Sequence, residues 1–255
     1  MGEFNGHLAM RAEARADGRT VLATQSFRAP YHLSKPYWDE DSQTLLVQVV
    51  NPTAGILAGD RLESAIAVSE AASLLVTAPS ASRLFQMNGG KAECRQQFVV
   101  AKDAWLEVMP EPLVPHRGCN YRQMTQVDVE AGGGLFFADL LMPGRVGHGE
   151  AWEWDKLCLE IEVRSLADWA GSGAGACFGN AVLIGDERPD DEVWQKGIAA
   201  LHADGLWLGL SRLRLGGWSL KLVAIDGIRL RQGLKDVRKI LSTRFPRLAC
   251  NPRKL

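Results

Sequence analysis

Apolar and polar residues alternate in short runs from Gly6 to Arg164, and Gly, Pro, Asn and Asp interrupt the runs. An alternation with period two predicts β-strands with one buried and one exposed face. The runs on either side of Asp17 and Gly18 predict a hairpin, because this dipeptide tolerates the positive φ angles of a tight turn. Further strands are predicted at QTLLVQVV, RLESAIAVS, ASLLVTA, AECRQQFVV, AWLEVM, NYRQMTQVDVE, GLFFADLLM and KLCLEIEV.

Helical periodicity is confined to the last third of the chain. The stretch RPDDEVWQKGIAALHADG starts with a proline and acidic residues and ends at Gly205, so it predicts one helix. A second helix is predicted at DGIRLRQGLKDVRKILSTRF, which Pro246 closes. Between the two, LWLGLSRLRLGGWSLKLVAI predicts a hairpin that turns at Gly216 and Gly217. The stretch WAGSGAGACFGN predicts a loop.

These patterns predict a mainly β protein, in which many short strands form a wrapped or sandwiched sheet and two or so helices follow in the C-terminal half. No repeat, linker or low-complexity segment divides the sequence, so we expect a single domain over residues 1–255. The 46% share of hydrophobic residues is ordinary for a globular protein and excludes global disorder.

Charge and cysteine content narrow the function classes. The 255 residues include 29 basic and 30 acidic side chains, and the net charge of -1 offers no broad positive field to nucleic acid. No stretch approaches the roughly 20 apolar residues that span a bilayer, and the first residues lack the apolar core of a signal peptide, so we expect no membrane contact and a cytoplasmic location. The five cysteines are widely separated and form no CxxC pair, which predicts reduced thiols.

The segment MPGRVGHGEAW concentrates three glycines, a histidine and a glutamate. It lacks the lysine and the following helix of a phosphate loop, and it fails the GxGxxG spacing. His148 and Glu150 lie two residues apart, so alternation would place both potential metal ligands on one side of an extended backbone. The sequence contains no HExxH motif and no nucleophile elbow. We therefore expect no catalytic residues and no hydrolysis of GTP, ATP or urea.

Four characteristic stretches follow one another along the chain: NPTAGILAGDRLE, LLVTAPSASRLFQM, LEVMPEPLVPHRGCNYRQ and GLFFADLLMPGRVGHGEAW. In motif, order and spacing they resemble the urease accessory proteins of the D/H type, and the last residues, RLACNPRKL, are similar to the Pro-Arg ending of that family. Ala58 and Asn51 depart from the glycine and the histidine that are common there. The residues that match the signature are Gly55, Gly59, Asp60, Arg61, Glu107, Pro110, Gly144, Arg145, Gly147, Gly149 and Glu150.

The resemblance implies a β-helix-like stack of sheets with a few helices, and a non-catalytic chaperone that matures urease. It also implies direct binding to an accessory protein of the F type, which recruits a GTPase of the G type. The assembly would dock on apo-urease and deliver nickel, so that nickel is in transit and no cofactor is tightly bound. A β-rich metal-dependent hydrolase that uses His148, Glu150 and a distant acid is one alternative, and a structural binding module without a metal role is another.

A nickel ion in transit needs weak oxygen ligands, because it must leave as readily as it enters. The candidates for such a path are Asp60, Asp139, Glu150 and His148. Structural roles stay open for them, since Asp60 follows a glycine and can cap a turn, and Glu150 can pair with Arg145.

Two further expectations concern packing and backbone shape. Leu230, Leu234 and Val237 form an apolar stripe on the second predicted helix, and we predict that an F-type partner partly covers it, with packing on the protein's own sheet as the alternative. In the glycine-rich segment, we expect Gly147 to lie in a turn that needs positive φ, so that a larger side chain there would be harmful.

Overall fold

The computed structural model describes residues 5–163, 177–185, 191–203, 205–213 and 217–252. Within these ranges the first strands are β1 (Asn5–Ala14), β2 (Thr20–Arg28), β3 (His32–Leu33), β4 (Tyr37–Asp39), β5 (Thr44–Val50), β6 (Arg61–Val68), β7 (Ser73–Thr77), β8 (Ser82–Leu84) and β9 (Ala92–Val100). The later strands are β10 (Trp105–Met109), β11 (Leu113–Pro115), β12 (Asn120–Val129), β13 (Gly134–Leu141), β14 (Lys156–Val163), β15 (Cys177–Ile184), β16 (Leu206–Arg212) and β17 (Trp218–Ala224). The helices are α1 (Asp191–Ala199) and α2 (Gly227–Leu241).

Every strand, hairpin and helix predicted from the sequence pattern has a counterpart in the structure. The loop predicted at WAGSGAGACFGN is wrong for residues 177–180, which begin β15, and residues 169–176 lie outside the described residues. The short strands β3, β4, β8 and β11 were not predicted, because two or three residues are too few to establish an alternation. The single domain over residues 1–255 stays a prediction.

The chain winds between two sheets. Strands β1, β6, β9, β12 and β14 run parallel in a six-stranded sheet, and β2 pairs antiparallel with β1 at its edge. Strands β5, β7, β10 and β13 run parallel in the second sheet, which β15, β17 and β16 extend with antiparallel pairing. From β5 to β15 the longer strands fall alternately in the two sheets. This arrangement is a stacked-coil β-solenoid, and it confirms the predicted β-helix-like, mainly β fold.

Parallel pairing stacks corresponding residues of successive coils into rows. One inward row of the second sheet consists of four buried leucines, Leu45, Leu74, Leu106 and Leu135. The row packs in one core cluster with Phe98 and Val127 of the six-stranded sheet. Burial of such a side chain contributes about 1.5–3 kcal/mol. The apolar rows between the sheets are therefore a main source of the solenoid's stability.

The C-terminal helix α2 packs on the outer face of the second sheet. Asp226 is the N-cap of the helix, because its side chain accepts a hydrogen bond from the backbone N–H of Arg229 at 2.6 Å. Leu230, Leu234 and Val237 are each 0% exposed and belong to a core cluster with residues of β13, β15, β16 and β17. The prediction that an F-type partner covers this stripe is therefore wrong for the folded chain, because the protein's own sheet already covers it. Neither helix in the described part of the chain is long and apolar enough to cross a membrane.

A buried ion pair between Arg238 and Glu107 links α2 to β10 of the second sheet. Arg238 Nε donates to Glu107 Oε1 at 2.6 Å, Arg238 Nη2 donates to Glu107 Oε2 at 3.0 Å, and the Glu107 side chain is 0% exposed. Arg238 Nη2 also donates to the carbonyl oxygen of Cys250 at 3.0 Å. Burial raises the pKa of the Glu107 carboxyl, and Arg238 opposes that rise. The pair thus joins β10, α2 and the C-terminal segment at one point.

We expect Glu107→Ala to lower the free energy of unfolding by about 3–5 kcal/mol, because it leaves the Arg238 guanidinium buried without its counter-ion. The matched control is Glu160→Ala, which removes one partner of the ion pair Arg122–Glu160, whose side chains are 50% and 49% exposed. That change should lower stability by at most about 1 kcal/mol. Urea denaturation of both variants makes the comparison, and equal losses would contradict the assigned role of the buried pair.

Candidate functional site

A cavity of about 320 Å³ lies between the two sheets. Residues near the start of β6, β9 and β12 and near the end of β7, β10 and β13 contribute to its lining. The loops after β5 and β7 line another side. The polar side chains of the lining include those of Tyr31, Cys94, Gln96, Tyr121, Gln123 and Asp139.

The polarity of the lining follows from the strand register. In the six-stranded sheet Cys94 lies beside Gln123, and Gln96 lies beside Thr125, so polar side chains form two successive inward rows. Thr125 Oγ1 donates to Gln96 Oε1 at 2.8 Å. The next row contains Phe98 and belongs to the apolar core. The polar rows therefore lie between an apolar cluster at the start of these strands, which contains Leu62 and Tyr121, and the apolar core at their end.

Asp139 is the one carboxylate among the described residues that line the cavity, and it lies in this polar region. It lies near the end of β13, and Gln123 Nε2 donates to its Oδ1 at 3.3 Å. Tyr121 in turn donates from its hydroxyl to Gln123 Oε1 at 3.1 Å. Burial raises the pKa of the Asp139 carboxyl to about 6, and the hydrogen bond from Gln123 opposes the rise. The side chain is deep in the fold and yet partly accessible, because it faces the cavity.

Three other titratable side chains of the cavity, those of Cys94, Tyr31 and Tyr121, are neutral at physiological pH. Burial raises the pKa of the Cys94 thiol to about 11, and hydrogen bonds with Tyr121 and Tyr31 oppose the rise. Burial likewise raises the pKa of both tyrosines well above the ordinary value. Asp139 is therefore the group among these four whose charge changes near neutral pH.

Asp60 has a structural environment. Its side chain is 1% exposed, and its Oδ2 accepts a hydrogen bond from the backbone N–H of Leu57 at 2.9 Å. The backbone N–H of Asp60 donates back to the carbonyl oxygen of Leu57 at 3.2 Å. This reciprocal pair holds the turn that contains Gly59 immediately before β6. The neighbouring signature residues Gly55 and Arg61 lie in the preceding loop and at the first position of β6.

Glu150 is held by a bidentate ion pair. Arg145 donates from Nε to Glu150 Oε2 at 2.9 Å and from Nη2 to Oε1 at 2.5 Å. The backbone N–H of Arg117 donates to Oε2 at 3.3 Å. The hydrogen bond from Arg145, with that of Arg117, lowers the pKa of Glu150 to about 2. Glu150 therefore carries a charge that Arg145 and Arg117 already satisfy.

The segment between Arg145 and Glu150 is a turn, not an extended strand. Residues Val146–His148 form a 3₁₀ turn, and His148 is exposed on it. The expectation that alternation places His148 and Glu150 on one side is therefore wrong. Among the described residues, no three His, Cys, Asp or Glu side chains are grouped in a way that could hold a metal ion.

The glycine that this turn requires is Gly144. Its φ is +121°, and a Cβ placed there would lie 2.7 Å from the carbonyl oxygen of Glu150 and 3.0 Å from that of Pro115. Gly147 has no positive φ, and a Cβ placed there would have no neighbour within 4 Å. The expectation for Gly147 is therefore wrong. Gly149, with φ of +72°, ends the 3₁₀ turn in the left-handed region.

Asp139 was predicted from the sequence, whereas its polar neighbours in the cavity were not. Glu107 and Pro110 of the signature lie in β10 and directly after it, and Pro110 lines the cavity. The signal for these unpredicted residues is present in the sequence. In the first halves of NYRQMTQVDVE and AECRQQFVV, polar residues occur at both the odd and the even positions, and therefore on both faces of the strand. A strand with one buried face should be apolar at every second position, so this irregularity marks a polar interior.

Comparison with known proteins gives a consistent result. Residues 4–169 match the profile of the family described as UreD urease accessory protein. The chain is 56% identical over 272 aligned positions to a urease accessory protein UreD of Opitutus terrae. The alignment covers 99% of this chain and 100% of that protein. It is 28% identical to a urease accessory protein UreD of Yersinia pseudotuberculosis, over 92% of this chain and 81% of that protein. It is 27% identical to urease accessory protein UreD 2 of Brucella canis, over 91% of this chain and 85% of that protein.

We expect Gly144→Ala to destabilise the protein by about 1–3 kcal/mol, because a side chain there combines positive φ with close contact to two carbonyl oxygens. Gly147→Ala, three residues along the same segment, should change stability by less than about 0.5 kcal/mol. Thermal unfolding monitored by circular dichroism measures both. A larger loss for Gly147→Ala than for Gly144→Ala would refute this assignment of the turn.

We expect Asp139→Asn to stabilise the metal-free protein at neutral pH. Below pH 3.8, the ordinary pKa of an aspartate, the Asp139 carboxyl is protonated in both the folded and the unfolded chain. Between pH 3.8 and about 6 only the unfolded chain loses this proton, so the stability of the parent protein falls as pH rises. The shift of about two pKa units corresponds to at most about 3 kcal/mol. The stability gain should thus be largest at neutral pH and vanish below pH of about 4.

Urea denaturation across this pH range tests the expectation. The control is Glu63→Gln, which removes a carboxylate from an exposed position of β6. An Asp139→Asn protein that is no more stable than the parent at neutral pH would mean that the ionised carboxylate is better solvated in the cavity than its burial indicates.

Proposed function

This chain belongs to the UreD family of urease accessory proteins, and from that membership we propose that it is a non-catalytic scaffold in urease maturation that passes nickel through its interior to apo-urease. The observation that carries the nickel role is the cavity of about 320 Å³ with Asp139 as its carboxylate. The relatives are named as accessory proteins and not as enzymes, which favours a scaffold over a metal-dependent hydrolase.

The donor set of the cavity is suited to a cargo ion. Ni²⁺ binds carboxylate and amide oxygens, and soft thiolates hold transition metals more firmly. Asp139 offers one carboxylate, Gln123 an amide, and Cys94 a thiol that burial keeps protonated. One anionic ligand among neutral donors attracts a divalent cation without retaining it, so the ion can be released to the next acceptor. Nickel is cargo in this proposal and not a resident cofactor.

Asp139 is the candidate for the transit role among the four residues named from the sequence. Asp139 has no ion-pair partner among the residues that the structure describes; a buried carboxylate in this state carries a cost in stability, and such groups are typical of functional sites. Asp60 instead accepts a hydrogen bond from the backbone N–H of Leu57 and stabilises the turn before β6. Glu150 accepts hydrogen bonds from Arg145 and Arg117 and stabilises the turn of the glycine-rich segment. His148 is exposed on the 3₁₀ turn. We infer structural roles for these three residues.

The partners in this proposal are an accessory protein of the F type, bound directly, a GTPase of the G type, recruited through the F-type protein, and apo-urease. The absence of a phosphate loop from the sequence is consistent with nucleotide hydrolysis by the partner. This chain would contribute a rigid solenoid and the cavity within it.

Production of urease in cells that carry Asp139→Asn tests the nickel role. We expect a several-fold lower nickel content and urease activity at matched protein levels, because a neutral amide holds a divalent cation less well than a carboxylate. The variant should still fold and co-purify with the F-type protein, since the change adds no bulk. The matched variants are Glu150→Gln and the surface change Glu63→Gln, which should leave nickel loading normal.

Normal nickel loading with Asp139→Asn would refute transit past this residue and leave a binding scaffold without a metal role. Loss of loading with Glu150→Gln, in a protein that still folds and binds the F-type protein, would move the transit role to Glu150. A chain that never co-purifies with an F-type protein would contradict the scaffold itself.

A further inference from the structure

A groove of about 890 Å³ runs between α2 and the second sheet. One wall is α2, and the residues after it, from Leu248 to Pro252, contribute to the lining. The opposite side is formed by the segments that follow β7 and β10, with Pro79 and Pro110 at its surface. The groove is therefore built from elements that are distant in sequence and fixed by the solenoid.

The helix presents cations along this groove. Arg231, Lys235 and Lys239 line it and follow one another at intervals of four residues, so they share one face of α2. Lys235 and Lys239 are exposed. The opposite face of the helix, with Leu230 and Val237, is buried in the protein's own core. The exposed surface of α2 thus carries Lys235 and Lys239, together with the uncharged side chains of Ile228 and Gln232.

The positive charge of the groove is only partly compensated. Arg231 Nη1 donates to Glu111 at 3.1 Å, and Arg238 is paired with Glu107. Lys235 and Lys239 have no ion-pair partner in the described part of the chain. The whole sequence has a formal net charge of -1, so this local excess of positive charge is a feature of one face.

Apolar surface accompanies the lysines. Pro79 is exposed, and Met109 and Pro110 are partly exposed along the groove. A polypeptide that alternates carboxylates with apolar side chains matches both properties, since its carboxylates can reach the lysines while its apolar groups cover Met109 and the prolines. A divalent cation is repelled by the lysines and gains nothing from apolar surface.

We propose that this groove binds an acidic, partly apolar polypeptide segment of a partner protein. Thr77, Ala78, Pro79, Pro110 and Leu140 line both the groove and the interior cavity, so the bound segment would lie against the cavity's wall. The proposal deepens the proposed function, on which it rests, by naming the chemistry of the partner that meets the chain beside its nickel path.

The test uses the full-length protein and a fluorescent synthetic peptide of alternating Glu and Leu residues, with anisotropy as the readout. We expect binding that weakens as salt is raised, and that weakens at least about tenfold in the double variant Lys235→Glu, Lys239→Glu, because two attractions become repulsions. A peptide with Gln in place of Glu should bind much more weakly than the acidic peptide. Circular dichroism checks that the variant is folded.

The matched control is Lys35→Glu with Lys102→Glu, which makes the same change in net charge at two exposed lysines outside the groove. This control should bind the acidic peptide as the parent does. Equal weakening in both double variants would overturn the proposal, because the attraction would then be a property of the whole surface. Tighter binding of a single-stranded oligonucleotide than of the acidic peptide would also overturn it.

The assay contains neither nickel nor urease, so its failure is distinguishable from failure of the proposed function. If Asp139→Asn abolishes nickel loading while the lysine changes leave peptide binding unaltered, only the proposal that the groove binds an acidic segment is refuted. Peptide binding that depends on Lys235 and Lys239, together with normal loading by Asp139→Asn, would refute nickel transit past Asp139 and retain the groove.

Discussion

The parallel register between successive coils is the constraint on which the rest of the structure depends. Each inward residue lies beside the inward residue of the next coil, so a side chain shares its environment with a whole row. Rows of leucine, valine and phenylalanine close the interior at one end of the six-stranded sheet. Nearer the start of these strands, Cys94 lies beside Gln123 and Ser64 lies beside Gln96, and these polar residues line a cavity between the sheets.

The same constraint explains the position of the C-terminal helix. On the outer face of the second sheet, Glu107 lies in a row with Leu75 on one side and Phe136 on the other. A carboxylate at such a position needs a buried counter-ion, and Arg238 of α2 supplies it. This pairing orients the helix so that its apolar stripe is covered, and the cationic stripe with Lys235 and Lys239 faces the groove.

The acidic residues near the signature segments separate into two kinds. Asp60 and Glu150 accept hydrogen bonds from groups fixed by the turns around them, so their negative charges support the backbone. Asp139 accepts one hydrogen bond from the amide of Gln123 and faces open space, and burial raises its pKa to about 6. Its ionised form at neutral pH is unfavourable for folding, and this separates it from the structural acids.

The sequence by itself determined most of the longer strands, the hairpins, both helices and the turn at the glycine-rich segment, because alternation, helical spacing and turn residues are local properties. It did not determine the short strands or β15. It also sufficed to name Asp139 as a candidate. Only the tertiary structure decided that Asp139 faces a cavity, that Gly144 rather than Gly147 requires glycine, and that α2 packs on the protein's own sheet. The physical reason is that a local pattern fixes which residues share a face of one element, whereas the winding of the coils fixes which faces meet.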